Sequence, residues 1–316
     1  MANEMKVLIT GAAGFTGPYM ASALRARGYS VIAGARDGEP SSHEFDEWVK
    51  FDITEIAEVK DTLAEIDPDY VIHLAGVSFV GHSNLSAFYQ VNVLGTENLL
   101  SALDSQGSKK LKSVLLASSA NVYGTPENVR YISEDLPASP VNHYAISKLA
   151  MEFVAKTFQS KLPVIVARPF NYIGCGQDKS FVIPKIVSAF ANDQPSIELG
   201  SIDVSRDFTF VKDTASAYVE LISHSQCIGE TYNVCSSKSW SLSEVLEFMS
   251  VKAGYEIDVI TNPAFVRKNE IKNLCGDNSK IRKHTGWAPR VEIQEALYEI
   301  YDYCKNLNED DKDENN

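Results

Sequence analysis

Apolar and polar positions alternate in two periods along the first half of the chain. Lys6 to Thr10 is a short apolar run; after a glycine-rich turn, Tyr19, Met20, Ala23 and Leu24 recur at helical spacing until Gly28 closes the helix. Strand-like runs follow at Val31 to Ala35, Tyr70 to Leu74, Val114 to Ala117 and Pro163 to Ala167, separated mostly by helical stretches such as Asn84 to Gln106 and Ala145 to Phe158. Strands alternating with helices predict an α/β fold, a doubly wound parallel sheet with helices on both faces. Beyond Arg168 the pattern is broken by Pro169, Gly174, Gly176, Pro184 and Pro195, and later strands such as Thr231 to Val234 are short. Residues 1–168 are therefore expected to form the main domain with return segments around 208–235, and 169–306 mainly a smaller C-terminal substrate-binding lobe. Residues 307–316, dense in Asp and Glu, are expected to be a disordered acidic tail.

Composition narrows the function. With 44% hydrophobic and 22% charged residues in 316, the chain is globular and long enough for an enzyme's core. Its 29 basic against 42 acidic residues, net −13, argue against nucleic acid or an anionic membrane as partner. No apolar run approaches the roughly 20 residues that span a bilayer. The start, Met1 to Lys6, lacks a signal peptide's apolar segment, so a cytoplasmic location is expected. Cys175, Cys227, Cys235, Cys275 and Cys304 form no C-x-x-C pair and the six histidines no H-x-x-H, so reduced thiols and no metal site are expected.

Gly11-Ala12-Ala13-Gly14-Phe15-Thr16-Gly17 sits directly between the first strand and the first helix. In that place the glycines permit a tight turn, close approach to a pyrophosphate and helix-to-strand packing, while the helix N-terminus offers N–H groups to phosphate. This makes the sheet Rossmann-type and the expected ligand a dinucleotide. At the end of the second strand Ala35 accepts nothing, whereas Arg36 can fork onto a 2'-phosphate, which favours NADP; a solvated Arg36 with Asp37 on the ribose is the alternative. Asp52 suits the adenine amine or a helix N-cap.

Tyr144 and Lys148 stand one helical turn apart, where a phenol beside an ammonium can exchange protons and the lysine is expected to lower the tyrosine's pKa. A second Y-x-x-x-K, Tyr301 and Lys305, follows no cofactor strand and reads as a solvated C-terminal helix. Ser119, after the strand ending at Ala117, can hydrogen-bond a substrate oxygen alongside Tyr144. A serine there can equally cap a turn, the role expected of Ser118.

With these blocks, together with His73-Leu74-Ala75-Gly76, Asn92 in Val91–Thr96, and Arg168-Pro169-Phe170-Asn171-Tyr172-Ile173-Gly174, the chain resembles the extended short-chain dehydrogenase/reductases that modify nucleotide sugars. The blocks Val77–Ser83, Arg206-Asp207-Phe208 and Tyr232–Cys235 are most similar to the branch of GDP-mannose 4,6-dehydratases and GDP-4-keto-6-deoxy-D-mannose reductases. The resemblance implies catalytic Ser119, Tyr144 and Lys148. It implies cofactor contacts at Gly11, Gly14, Phe15, Thr16, Gly17, Arg36, Asp52, Ile53, Leu74, Ala75, Gly76, Asn92, Tyr144 and Lys148. Substrate contacts are expected at Ser78, Ser119, Asn121, Asn171, Lys185 and Arg206, the last on the diphosphate, with an ion pair near Asp207 as its alternative.

Dehydratases of this branch resemble one another in a glutamate two residues after the hydroxyl residue; here Ala120 and Asn121 follow Ser119. The expectation is therefore NADPH-dependent reduction of the C4 ketone of a GDP-4-keto-6-deoxy-hexose, giving GDP-D-rhamnose or GDP-6-deoxy-D-talose. A nucleotide-sugar 4-epimerase with tightly held NAD, or a non-catalytic dinucleotide-binding regulator, are the alternatives. A homodimer is expected through 84–106 and 141–158, where Leu85, Phe88, Val91, Leu99 and Leu103 supply apolar positions.

Overall fold

The computed structural model describes residues 4–38, 42–80, 83–126, 129–265 and 273–313, with 308–313 by backbone alone. The strands are β1 (Lys6–Thr10), β2 (Ser30–Ala35), β3 (Glu47–Lys50), β4 (Tyr70–His73), β5 (Ser113–Ala117), β6 (Val164–Pro169), β7 (Asn171–Ile173), β8 (Ser196–Leu199), β9 (Ser205–Phe210), β10 (Thr231–Val234), β11 (Ser239–Ser241), β12 (Asp258–Thr261) and β13 (Asn273–Leu274). The helices are α1 (Gly17–Arg25), α2 (Ile56–Ile66), α3 (Leu85–Tyr89), α4 (Thr96–Gln106), α5 (His143–Phe158), α6 (Val182–Ala191), α7 (Val211–Ser223), α8 (Leu242–Ala253), α9 (Ser279–Thr285) and α10 (Ile293–Asp313).

The main sheet is parallel throughout and runs β10-β6-β5-β4-β1-β2-β3. Apart from the edge strand β3, its strands are apolar on both faces, and the period of two sorts them. Val7, Ile9, Val31, Ile72 and Ile165 pack beneath α1 and α7, whereas Leu8, Ile32, Val71, Val114 and Val164 pack beneath α2, α4 and α5. After α7 the chain returns to this sheet, where β10 pairs with β6 from Thr231 opposite Val166.

The lobe has its own core of Ile186, Phe190, Phe208, Val245 and Leu297, joining α6, α8 and α10 to short sheets in which β9 pairs with β7, β11 and β13, and β8 with β12. Tyr301 is buried in this core and Lys305 pairs with Asp193, so the second Y-x-x-x-K is a packing element with a solvated partner. The expected disorder from 307 meets a helix instead, because α10 continues to Asp313; residues 314–316 lie outside the described residues. Once the buried stripe of Ala296, Leu297, Ile300 and Tyr301 has fixed the first turns, each added residue costs little. Among the described residues no helix is long and apolar enough to cross a membrane.

The helical run from 85 to 106 is interrupted by a π-helical turn, Gln90–Gly95, between α3 and α4. Phe88, Leu99 and Leu103, counted toward a dimer face, are instead core residues, and Val91 packs partly against the same core. The exposed apolar side chains on α3, the π turn and α5 are Leu85, Leu94, Ile146 and Phe153.

Candidate active site

Strand order reverses between β1 and β4, and a crevice opens at their carboxyl ends, where doubly wound sheets hold ligands. The β1–α1 loop is closed by main-chain hydrogen bonds, Gly14 N–H to Gly11 O and Gly17 N–H to Gly14 O, each 3.0 Å. Gly11 has φ +70°, and a Cβ there would lie 2.6 Å from the backbone of Ala75; a Cβ on Gly17 would lie 1.9 Å from the Ala12 carbonyl oxygen. Gly11 thus lets the loop turn against β4's end, while Gly17 lets α1 close on the loop and reaches no cavity. A cavity of about 370 Å³ runs from this loop to Arg36, Asp37, Asp52 and Ile53. A second, of about 800 Å³, shares Gly11, Gly14, Ala75 and Gly76 with it and continues past Phe15, Thr16, Leu74 and Ser78 to Ser119, Tyr144 and Lys148. A glycine-floored groove with a helix N-terminus at its middle fits an extended dinucleotide.

The Arg36 guanidinium is mostly solvent-exposed and is held by Asp37, with Nε and Nη2 both 2.7 Å from Oδ2. Asp52 accepts from the Thr54 N–H at 2.9 Å and its hydroxyl at 2.7 Å, capping the turn before α2, whose N-cap residue is Glu55.

Tyr144 and Lys148 lie on the buried face of α5, whose first turn is capped by Asn142 Oδ1 accepting from Ala145 N–H at 2.9 Å. The expected lowering of Tyr144 is not what the site does. Burial pushes its phenol up to about 12, and Ser119 is the hydrogen-bonding neighbour that pulls it down. Lys148 donates to the Ala117 carbonyl at 2.6 Å; burial brings it down to about 8 while Glu152, one turn on, pulls it up. The capping expected of Ser118 falls to Ser119, which still faces the larger cavity. Ser119 caps the short 3-10 turn Ala120–Tyr123, whereas Ser118 donates to Glu152 Oε1 at 2.5 Å. Glu152 is buried and takes two bonds from Arg168, at 2.9 and 2.6 Å, and the Arg168 guanidinium stacks 4.8 Å from the Tyr123 ring centre.

Two buried residues organise the loops. His73 bridges Thr10 at 2.7 Å and Thr96 at 3.0 Å, tying β1 and β4 to the π turn, and burial drives its pKa down to about 3, which keeps it neutral. Asn92 reaches neither cavity: its amide holds both the N–H and the carbonyl of Val77, at 2.8 and 3.1 Å, and Ser147 Oγ at 3.0 Å. The side chain thereby supports the loop after β4.

From the lobe, Asn171, Tyr172, Gln177, Phe181, Arg206 and Leu274 line the larger cavity. Tyr172 stacks on Phe15 at 6.0 Å and shares a 3.0 Å hydrogen bond with Thr16, so the glycine loop forms part of the sugar-side wall. Asp207, adjacent to Arg206 on β9, faces the other way into the protein. It accepts the N–H groups of Ser236, Ser237 and Gly276 at 2.8, 2.9 and 3.2 Å, with burial raising its pKa to about 6. Lys185 does not line the cavity. Its Nζ donates to the Glu198 carbonyl at 2.7 Å and sits 4.5 Å from the Phe265 ring centre, since α6 turns its apolar face inward and this side chain toward β8.

The family profile described as GDP-mannose 4,6 dehydratase matches residues 8–300. The chain belongs to this family. It is 35% identical to a GDP-6-deoxy-D-talose 4-dehydrogenase of Aggregatibacter actinomycetemcomitans, over 94% of this chain and 97% of that one. It is also 35% identical to a GDP-6-deoxy-D-mannose reductase of Pseudomonas aeruginosa, over 93% and 95%. The solved structure of RMD from Pseudomonas aeruginosa complexed with NADPH superposes with a TM-score of 0.83 at 33% identity, covering 96% of this chain and 99% of that one. The fold and the extended short-chain dehydrogenase/reductase type read from the sequence agree with this membership.

Position 121 carries an amide, and Asp178 is the one carboxylate among the described residues lining the larger cavity. The Ser180 hydroxyl and its N–H, the latter 2.7 Å from Oδ1, hold the exposed Asp178 carboxyl below its usual range. Of the block Val77–Ser83, Gly81 and His82 lie outside the described residues. Sequence reasoning passed over Glu152, although it continues the four-residue spacing of Tyr144 and Lys148, and over Tyr172 and Phe181, which carry no charge to attract notice.

Proposed function

We propose that the protein is a cytoplasmic NADPH-dependent reductase of the C4 ketone of a GDP-4-keto-6-deoxy-hexose, yielding GDP-D-rhamnose or GDP-6-deoxy-D-talose. The observation that carries this reading is the convergence of Ser119, Tyr144 and Lys148 on one cleft with Asn121, not a carboxylate, beside them. NADPH, when bound, supplies hydride to the carbonyl carbon. Tyr144, protonated throughout the neutral range, gives its proton to the carbonyl oxygen, and Ser119 holds that oxygen by hydrogen bond. Lys148 stabilises the phenolate that remains and orients the nicotinamide ribose. Arg36 receives the 2'-phosphate and Arg206 the substrate diphosphate. Two relatives of equal identity act on sugars that differ at C4, so support for the chemistry is stronger than support for either product. The five free thiols suit a reducing compartment.

The test supplies purified protein with NADPH and GDP-4-keto-6-deoxy-mannose, then with GDP-mannose alone. One equivalent of NADPH should be consumed per ketone, and GDP-mannose should yield no 4-keto-6-deoxy sugar, because loss of water needs a base at C5 and Asn121 cannot take a proton. Dehydration of GDP-mannose by this chain alone overturns the reading. We also propose a homodimer through the exposed Leu85, Leu94, Ile146 and Phe153 face. A monomer mass by light scattering at micromolar concentration refutes it.

A further inference from the structure

Ser119 Oγ receives two hydrogens from one residue. The Asn121 backbone N–H lies 3.2 Å from it and the Asn121 amide Nδ2 3.1 Å. A serine hydroxyl has two acceptor sites and one hydrogen to donate. Both acceptor sites are therefore engaged from the Asn121 side, and the hydroxyl hydrogen must leave in another direction. Ser119 is buried, and it lines the larger cavity together with Tyr144.

The backbone holds this arrangement. Asn121 belongs to the 3-10 turn Ala120–Tyr123, which Ser119 caps and Gly124 closes. Gly124 has φ +67°, and a Cβ there would fall 1.9 Å from the Ser139 carbonyl oxygen; Ser139 N–H in turn donates to the Val122 carbonyl at 2.9 Å. The turn is held at two points against the Ser139 segment, so the amide of Asn121 is fixed against Ser119.

We propose that Asn121 is a positioning residue that sets the direction of the Ser119 hydroxyl, making Ser119 an obligate donor toward a sugar carbonyl oxygen held beside Tyr144. This deepens the reductase reading and rests on it for its chemical purpose. A ketone oxygen accepts and never donates, and negative charge grows on it as hydride arrives, so it needs hydrogens from both Ser119 and Tyr144. A carboxylate at position 121 can only accept. It would draw the Ser119 hydrogen toward itself and leave the carbonyl oxygen with one donor fewer. The amide therefore contributes beyond the absence of a base: it gives Ser119 the polarity that reduction requires.

The experiment compares Asn121→Asp with Asn121→Ala. Asp is nearly isosteric and reverses the hydrogen bond, whereas Ala removes one donor but leaves the backbone N–H. Turnover of the keto-sugar should fall on the order of 10²-fold in Asn121→Asp, the scale of a lost oxyanion donor. The fall should be smaller in Asn121→Ala, with the KM for NADPH little changed in both. A packing role predicts the opposite order, Ala worse than Asp, and that order overturns the proposal. Neutron diffraction of the deuterated wild-type protein reads the polarity without any substrate. A Ser119 deuteron directed away from Asn121 supports it, and one on the Ser119–Asn121 line refutes it. A wild-type protein inert toward every keto-sugar nucleotide would sink the reductase reading, leaving the neutron result to decide the hydrogen-bond direction by itself.

Discussion

At the glycine-loop end of the cleft the walls are main chain, packed so closely that a methyl group on Gly11 or Gly17 would strike backbone. At the sugar end the working surface is side chain, delivered by α5, by the turn after β5 and by the lobe. The first region is specified by what is left out and the second by what is put in and how it is buried. Substitutions should therefore act differently at the two ends, through binding and stability at one and through turnover at the other.

The sharpest separation comes from Tyr144→Phe, which should lower turnover by roughly 10²-fold or more, with melting temperature and NADPH affinity nearly unchanged, because only the proton donor is lost. Near wild-type turnover would remove Tyr144 from its role. Gly17→Ala should do the converse: forcing α1 away from Ala12 should cost about 1–3 kcal/mol, read as a lower melting temperature together with weaker cofactor binding. An unchanged melting curve would show that the loop yields freely. Arg36→Ala, at a largely exposed site, should raise the KM for NADPH by about tenfold and leave that for NADH alone, the low end for a charge-assisted contact. An equal effect on both cofactors would mean that Arg36 serves only its pairing with Asp37. Finally, Lys148 is charged below its folded value of about 8 and neutral above it, so kcat should be level through neutral pH and decline as pH rises through about 8. A profile level to pH 10, near the ordinary lysine value, would place another charge beside Lys148.

The parallel sheet was legible because its strands are apolar on both faces and end at glycine or at chemistry-bearing residues. The edge strand β3, with Glu47 and Lys50 exposed, has no such signature and escaped. So did β7, β8 and β11 to β13, each of two to four residues, too short to show a period. At the site, the spacing of Tyr144 and Lys148 predicted a shared face, since four residues is about one helical turn. Spacing says nothing of burial, and burial decides the pKa of both. Spacing does not show direction either: Asn92 is turned into the protein to hold a loop, and Lys185 is folded along its helix to meet a carbonyl.

Glu152 and Arg168 are a buried ion pair, so neither charge is easily altered alone. Removal of either strands the other without water, a loss of about 3–5 kcal/mol, whereas joint replacement by well-packed neutral residues can be tolerated. Because Ser118 is bound to the same carboxylate, that joint change must also find a new partner for a hydroxyl next to Ser119. A lineage drifting one substitution at a time is thus held back at both positions. The pair acts as a ratchet on the sequence, since neither charge is readily changed alone and both lie in the floor beneath the reacting groups.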